Sequence, residues 1–116
     1  MKKLLLLLIT ASLLSFASKP INKRGIVLVH YNAEFNASNN YTDIVKIKDA
    51  KIYEASIDGN AELQASEAIR SVPTLVLYKN GKEIKRWEAG LSLSLQNVDY
   101  REIQKEIDQL TGANKF

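Results

Sequence analysis

An α/β domain, with a mixed central sheet and helices on both faces, is the fold class this sequence predicts. Three observations predict it. The run Ile26 to Tyr31 is almost continuously apolar and built of β-formers, which is how a central strand covered on both faces reads. Strand-like and helix-like segments then alternate along the chain. Finally, Asn80-Gly81 joins two strand-like arms with the two-residue turn that favours a tight hairpin.

The elements follow in order. Asn32 to Asn40, rich in amide and small residues, reads as a loop leading into a helix. That helix is placed at Tyr41–Ile47, where Ile44 and Ile47 are spaced to share a face, and it is short. Lys51–Ile57 has strand composition and is closed by the turn residues Asp58-Gly59-Asn60. Ala61–Ala68 is rich in Ala, Glu and Leu, hence helix. Thr74–Lys79 is a strand, and Glu83–Glu88 is the returning arm of the hairpin. Asp99 with Glu102 has the form of a capping box opening a last helix to Leu110. Tyr100, Ile103, Ile107 and Leu110 form its apolar stripe, and Gly112 its stop. The order is β-α-β-α-β-β-α.

The chain has 116 residues, which bounds it to one domain, and 46% hydrophobic with 25% charged residues is an ordinary globular composition. Its amino terminus is different. Lys2 and Lys3 precede an apolar run from Leu4 to Leu14, followed by small residues at Ser15 and Ala17. These are the parts of a secretory signal, with cleavage expected after Ala17. The run is shorter than the ~20 residues a comfortable membrane span needs, so a retained anchor is the alternative. The expected organisation is a signal at 1–17, a linker at 18–24, a domain at 25–112 and a tail at 113–116. The expected location is periplasmic or secreted. Without Lys2 and Lys3, 14 basic residues face 13 acidic ones, so no basic stripe argues for nucleic acid. There is no cysteine, which excludes disulfides, thiolate metal sites and thiol chemistry.

Several stretches together resemble thioredoxin. "IVLVHYNAEFNASN" is similar to the family's first core strand and active-site loop. "IRSVPTLVLYKNGKEIKRWEAG" is similar to its most specific segment, with Val72-Pro73-Thr74 and then the hairpin. "ASID" is similar to the end of its second core strand. The resemblance spans Gly25 to Leu110. It implies a thioredoxin-like fold with a four- to five-stranded mixed sheet and a cis bond at Val72-Pro73. It also implies a peptide-binding surface at Phe35, Ala37, Ser38, Val72, Pro73 and Thr74.

The departures bear on chemistry. Asn36 and Asn39 stand at the two positions of the Cys-x-x-Cys pair. There the family's first thiolate attacks a substrate disulfide and the second resolves the mixed disulfide; an amide can do neither. His30 and Glu54 stand where the family places a buried aspartate and a lysine, so they are expected as a buried polar pair of exchanged sign. Between Asn39 and Asp58 the chain is shorter than is usual, which implies a truncated helix after the loop.

Read from the residues alone, Asn36 to Asn40 suit helix N-capping or a polar binding loop, with capping preferred. A lone histidine without a Ser/His/Asp set gives no catalytic site, and scattered carboxylates give no metal site. The expectation is therefore a redox-inactive, exported thioredoxin-like protein that binds protein or peptide non-covalently and needs no cofactor. A thiol–disulfide oxidoreductase and an interaction subunit of a larger assembly are the alternatives.

Overall fold

The structure, a computed structural model, describes residues 21–112. The expected signal, residues 18–20 of the expected linker and the tail at 113–116 lie outside the described residues. Four strands form one sheet in the order β2-β1-β3-β4. They are β1 (Ile26–Asn32), β2 (Lys51–Ser56), β3 (Thr74–Lys79) and β4 (Lys82–Glu88). β1 runs parallel to β2 and antiparallel to β3, and β3 pairs antiparallel with β4. The sheet is therefore mixed, as expected, and has four strands among the described residues. β1 is central because it is apolar on both faces, and all but its first residue are buried.

Alternation along the strands builds two cores. Leu28, Leu75, Leu77 and Trp87 face α2 (Tyr100–Thr111), whose Ile103 and Ile107 are fully buried among them. Val27, Val29, Tyr31, Val76 and Tyr78 face the other way, against Ile69, Val72 and Leu63 of α1 (Ala61–Ser66). Fully burying side chains of this size contributes ~1.5–3 kcal/mol apiece, so each face is held by several such residues. Trp87 packs beneath α2. Tyr78, its hairpin neighbour, packs on the opposite face.

The hairpin turn is as read: Asn80 and Gly81 both take positive φ, 50° and 85°, which suits a two-residue turn. α2 opens on Asp99, whose carboxylate accepts from the Arg101 N–H at 2.9 Å rather than from that of Glu102, so the cap is not the expected box. Gly112 ends it at φ 80°.

The segment after β1 departs furthest from a standard helix. In place of one helix there are two 3-10 pieces, Glu34–Asn39 and Thr42–Lys46. Tyr41, Ile44 and Ile47 are all buried, whereas Val45 is 84% exposed. A repeat of three residues matches the three-residue turn of a 3-10 helix, whose i and i+3 side chains eclipse. The truncation leaves too little chain for α-helical turns to propagate.

The polypeptide enters the sheet at the hairpin end. Asn80 and Gly81 donate backbone N–H bonds to the carbonyls of Gly25 and Lys23, at 2.8 and 2.9 Å. The loop carrying Asn36 lies at the opposite end of β1. Among the described residues, no helix is long and apolar enough to cross a membrane.

Candidate functional site

The first 3-10 piece carries Asn36 inward. Its side chain is 3% exposed. The amide nitrogen lies 3.2 Å from Asn32 Oδ1, 3.3 Å from the Val72 carbonyl and 3.0 Å from the Leu93 carbonyl. Its oxygen accepts from Asn39 Nδ2 at 2.8 Å. Two amide protons are thus shared among three oxygens, in a site that excludes water. Asn32 continues the network, donating to the Asn36 carbonyl at 3.1 Å and to Asn40 Oδ1 at 2.6 Å. Neither 3-10 piece receives a side-chain cap. The capping role expected of these asparagines is therefore corrected. Their amides bond to one another and to two distant carbonyls, because a buried amide cannot leave its protons unpaired. Asn36 is a strut between the loop, Val72 and Leu93, and is not presented to a ligand.

Beneath this network, His30 and Glu54 are direct partners in the β1–β2 register. His30 Nδ1 lies 2.6 Å from Glu54 Oε1. The pair is buried on one side only: the histidine is 2% exposed and the glutamate 61%. This corrects the expectation of a fully buried pair. β2 is an edge strand, so solvent reaches the carboxylate that the edge presents. His30 Nε2 accepts the Tyr41 N–H at 3.2 Å. That bond requires an unprotonated Nε2, and it assigns the proton to Nδ1, donated to Glu54. With both ring nitrogens engaged, His30 offers no free base. Burial pushes the Tyr41 phenol up to about 12, and it donates to the Val98 carbonyl at 2.7 Å.

Beside the loop runs an open groove of about 630 Å³, lined among others by Phe35, Ile69, Val72, Ala89, Leu91 and Leu93. Phe35 is 74% exposed and Leu91 fully so. The Val72–Pro73 bond, at one wall, is cis. The residues anticipated at this surface are divided by the fold. Phe35 and Val72 line the groove. Pro73 and Thr74 are buried, and the Thr74 hydroxyl donates to the Ser71 carbonyl at 2.8 Å. Ala37 and Ser38 are exposed, but they border two smaller clefts on the other side of the loop. Leu91 and Leu93 escaped the sequence reading. The alternation Leu91-Ser92-Leu93-Ser94-Leu95 just after Gly90 was the signal available for them, a strand-like period that the structure leaves outside the sheet.

A second polar cluster occupies the α1 face. Tyr78 donates to Glu67 Oε1 at 2.5 Å, Tyr31 and Tyr78 hydroxyls meet at 2.9 Å, and Lys23 Nζ reaches Glu67 Oε2 at 2.6 Å. Burial pushes the Glu67 carboxyl up, but the hydrogen bonds from Lys23 and Tyr78 outweigh it and hold the group below its usual range. Burial likewise pushes Tyr31 up to about 12, and Tyr78 further. Among the described residues, no group of three or more His, Asp or Glu side chains is placed to hold a metal ion.

No model of a known protein family matches the chain, and no curated protein matches it. Solved structures do. A variant of thioredoxin from Halobacterium salinarum superposes with a TM-score of 0.57 at 22% identity, covering 76% of each chain. Thioredoxin 1 from Thermosipho africanus gives 0.58 at 17%, covering 78% of this chain and 99% of that one. Thioredoxin-2 of a malaria parasite, described as a component of its protein secretion machinery, gives 0.60 at 15%, with 79% and 97% covered. At these identities the likeness establishes the fold. The chain is a thioredoxin-like domain and contains no cysteine.

Proposed function

We propose that this cysteine-free thioredoxin fold binds extended polypeptide segments non-covalently and performs no thiol chemistry of its own. The observation that carries the reading is the groove. Single exposed apolar residues are ordinary on a protein surface. Phe35 and Leu91, however, flank one open groove whose wall continues through Val72 and Leu93. Such a surface fits alternate apolar side chains of an extended segment, with backbone contacts along the loop at Val72. Asn36 keeps the groove's two walls in register by bonding the carbonyls of Val72 and Leu93. It does so without a reactive group.

The amino-terminal signature supports export, periplasmic or secreted, with a retained anchor as the alternative. The described chain enters the sheet at the hairpin end, and the groove lies ~20 Å away along the seven residues of β1.

The test uses carboxymethylated insulin B chain, an extended peptide whose cysteines are blocked. Its binding is followed by anisotropy with a fluorescent label. The wild-type chain binds it, and Phe35→Ser with Leu91→Ser removes binding while leaving the fold intact. Binding that survives both substitutions overturns the groove assignment. Turnover in an insulin-reduction assay at thioredoxin-like rates would overturn the claim of redox inactivity.

A further inference from the structure

We infer that His30 is a proton-operated latch on the groove: adding a second proton to its ring releases Tyr41 and slackens the asparagine network that holds Phe35 and Val72. The inference rests on the peptide-binding reading above and adds a regulation to that site. The geometry is specific about the direction. In the observed arrangement Nε2 is an acceptor, facing the Tyr41 N–H at 3.2 Å, and Nδ1 is the donor, facing Glu54 at 2.6 Å. An imidazolium carries a proton on each nitrogen and has no acceptor left. Two N–H groups would then point at each other, and the Tyr41 bond is lost. The Glu54 contact survives, because it requires a proton on Nδ1 in either state.

The consequence passes along adjacent bonds. Tyr41 follows Asn40, whose Oδ1 takes the 2.6 Å bond from Asn32. Asn32 Oδ1 in turn lies 3.2 Å from the Asn36 amide, which holds the Val72 and Leu93 carbonyls. Tyr41 also opens the second 3-10 piece, so its displacement moves the whole segment between β1 and β2.

The charged groups that face the ring are carboxylates. From β2, Glu54 faces the ring. From the first 3-10 piece and the loop after β2, Glu34 and Asp58 line the small cleft that reaches His30, and no lysine or arginine lines it. β3 places Leu75 opposite His30, and α2 contributes the apolar Ile103 and Ile107 to that core. The Tyr41 phenol, at about 12, stays neutral throughout. Histidine is the side chain suited to switch between pH 5 and 8.

Two measurements on the full chain test the latch. In the first, the Tyr41 amide and the His30 ring are followed by NMR from pH 8 to 5. The Tyr41 proton should move upfield with the same midpoint as the ring, and a Tyr41 amide that ignores the ring titration overturns the latch. In the second, affinity for carboxymethylated insulin B chain is compared across that range with His30→Gln. Glutamine can accept from Tyr41 and donate to Glu54, but it does not titrate. Wild type should weaken about 5-fold relative to the variant, the equivalent of one neutral hydrogen bond. Equal pH profiles overturn the regulation and leave the binding reading standing. No binding at any pH overturns both. A Tyr41 shift that persists in His30→Gln would assign the titration to Glu34, Glu54 or Asp58 and overturn the role of His30.

Discussion

Replacing Asn36 with alanine should be far more damaging than replacing Asn39, although the two amides share one 3-10 piece and one hydrogen bond. Asn36 is buried. It donates its two amide protons among three oxygens and accepts one bond from Asn39. Alanine removes three bonds at a net ~1 kcal/mol each and strands the Val72 and Leu93 carbonyls, so a cost of ~2–3 kcal/mol follows. Asn39 is half-exposed and loses a single bond, worth ~0.5–1 kcal/mol. For a domain of this size each kcal/mol lowers Tm by ~4–8 °C, so the two variants should separate by roughly 10 °C. Urea unfolding followed by the fluorescence of Trp87, buried beneath α2, gives both values. The double variant should show a coupling of ~1 kcal/mol from the shared bond. An Asn36→Ala cost within ~0.5 kcal/mol of that of Asn39→Ala would refute the strut, since surface substitutions have that size.

Other outcomes follow from the same geometry. Cysteines at both positions, Asn36→Cys with Asn39→Cys, should close a bridge on oxidation yet turn insulin over slowly. Asn36 is buried and the segment is 3-10, so no α-helix N-terminus lowers the thiolate pKa. Thiol titration and the insulin assay check this, and fast turnover would contradict it. Glu67, whose folded pKa is depressed, contributes stability that is present above its ordinary 4.5 and is lost as pH falls through the folded value. Urea midpoints from pH 7 to 3 should therefore fall less steeply in Glu67→Gln than in wild type. Tyr78→Phe removes a bond to that carboxylate and should cost ~1.5–3 kcal/mol at pH 7, diminishing in acid. Leu91→Ser should leave the urea midpoint within error and abolish peptide binding.

β1 and β3 were legible as concentrated runs of β-formers, and β4, mostly charged, only because the turn Asn80-Gly81 fixes the hairpin. The α2 stripe was legible as a period that only one structure satisfies. The segment after β1 was not. Tyr41, Ile44 and Ile47 at steps of three, with Val45 left out, carried the 3-10 period. A step of three also fits one face of an α-helix, and only the exposure of Val45 separates the two. The His30–Glu54 contact was legible from strand alternation and register, but the edge position that exposes Glu54 was not, since edge or centre is decided by the whole sheet. The asparagine network was hidden for a physical reason. Amides satisfy caps, ligands and each other equally well, and their partners here, Val72 and Leu93, lie 36 and 57 residues away.

The central claim is that the groove beside Phe35 takes polypeptide without chemistry. A titration of the isotopically labelled chain with carboxymethylated insulin B chain, read amide by amide in NMR, bears on it most directly. The account predicts shifts concentrated at Phe35, Val72, Leu91 and Leu93, with the hairpin end at Asn80-Gly81 unmoved. Shifts centred on the hairpin end or on the outer face of α2, or none at saturating peptide, would contradict it.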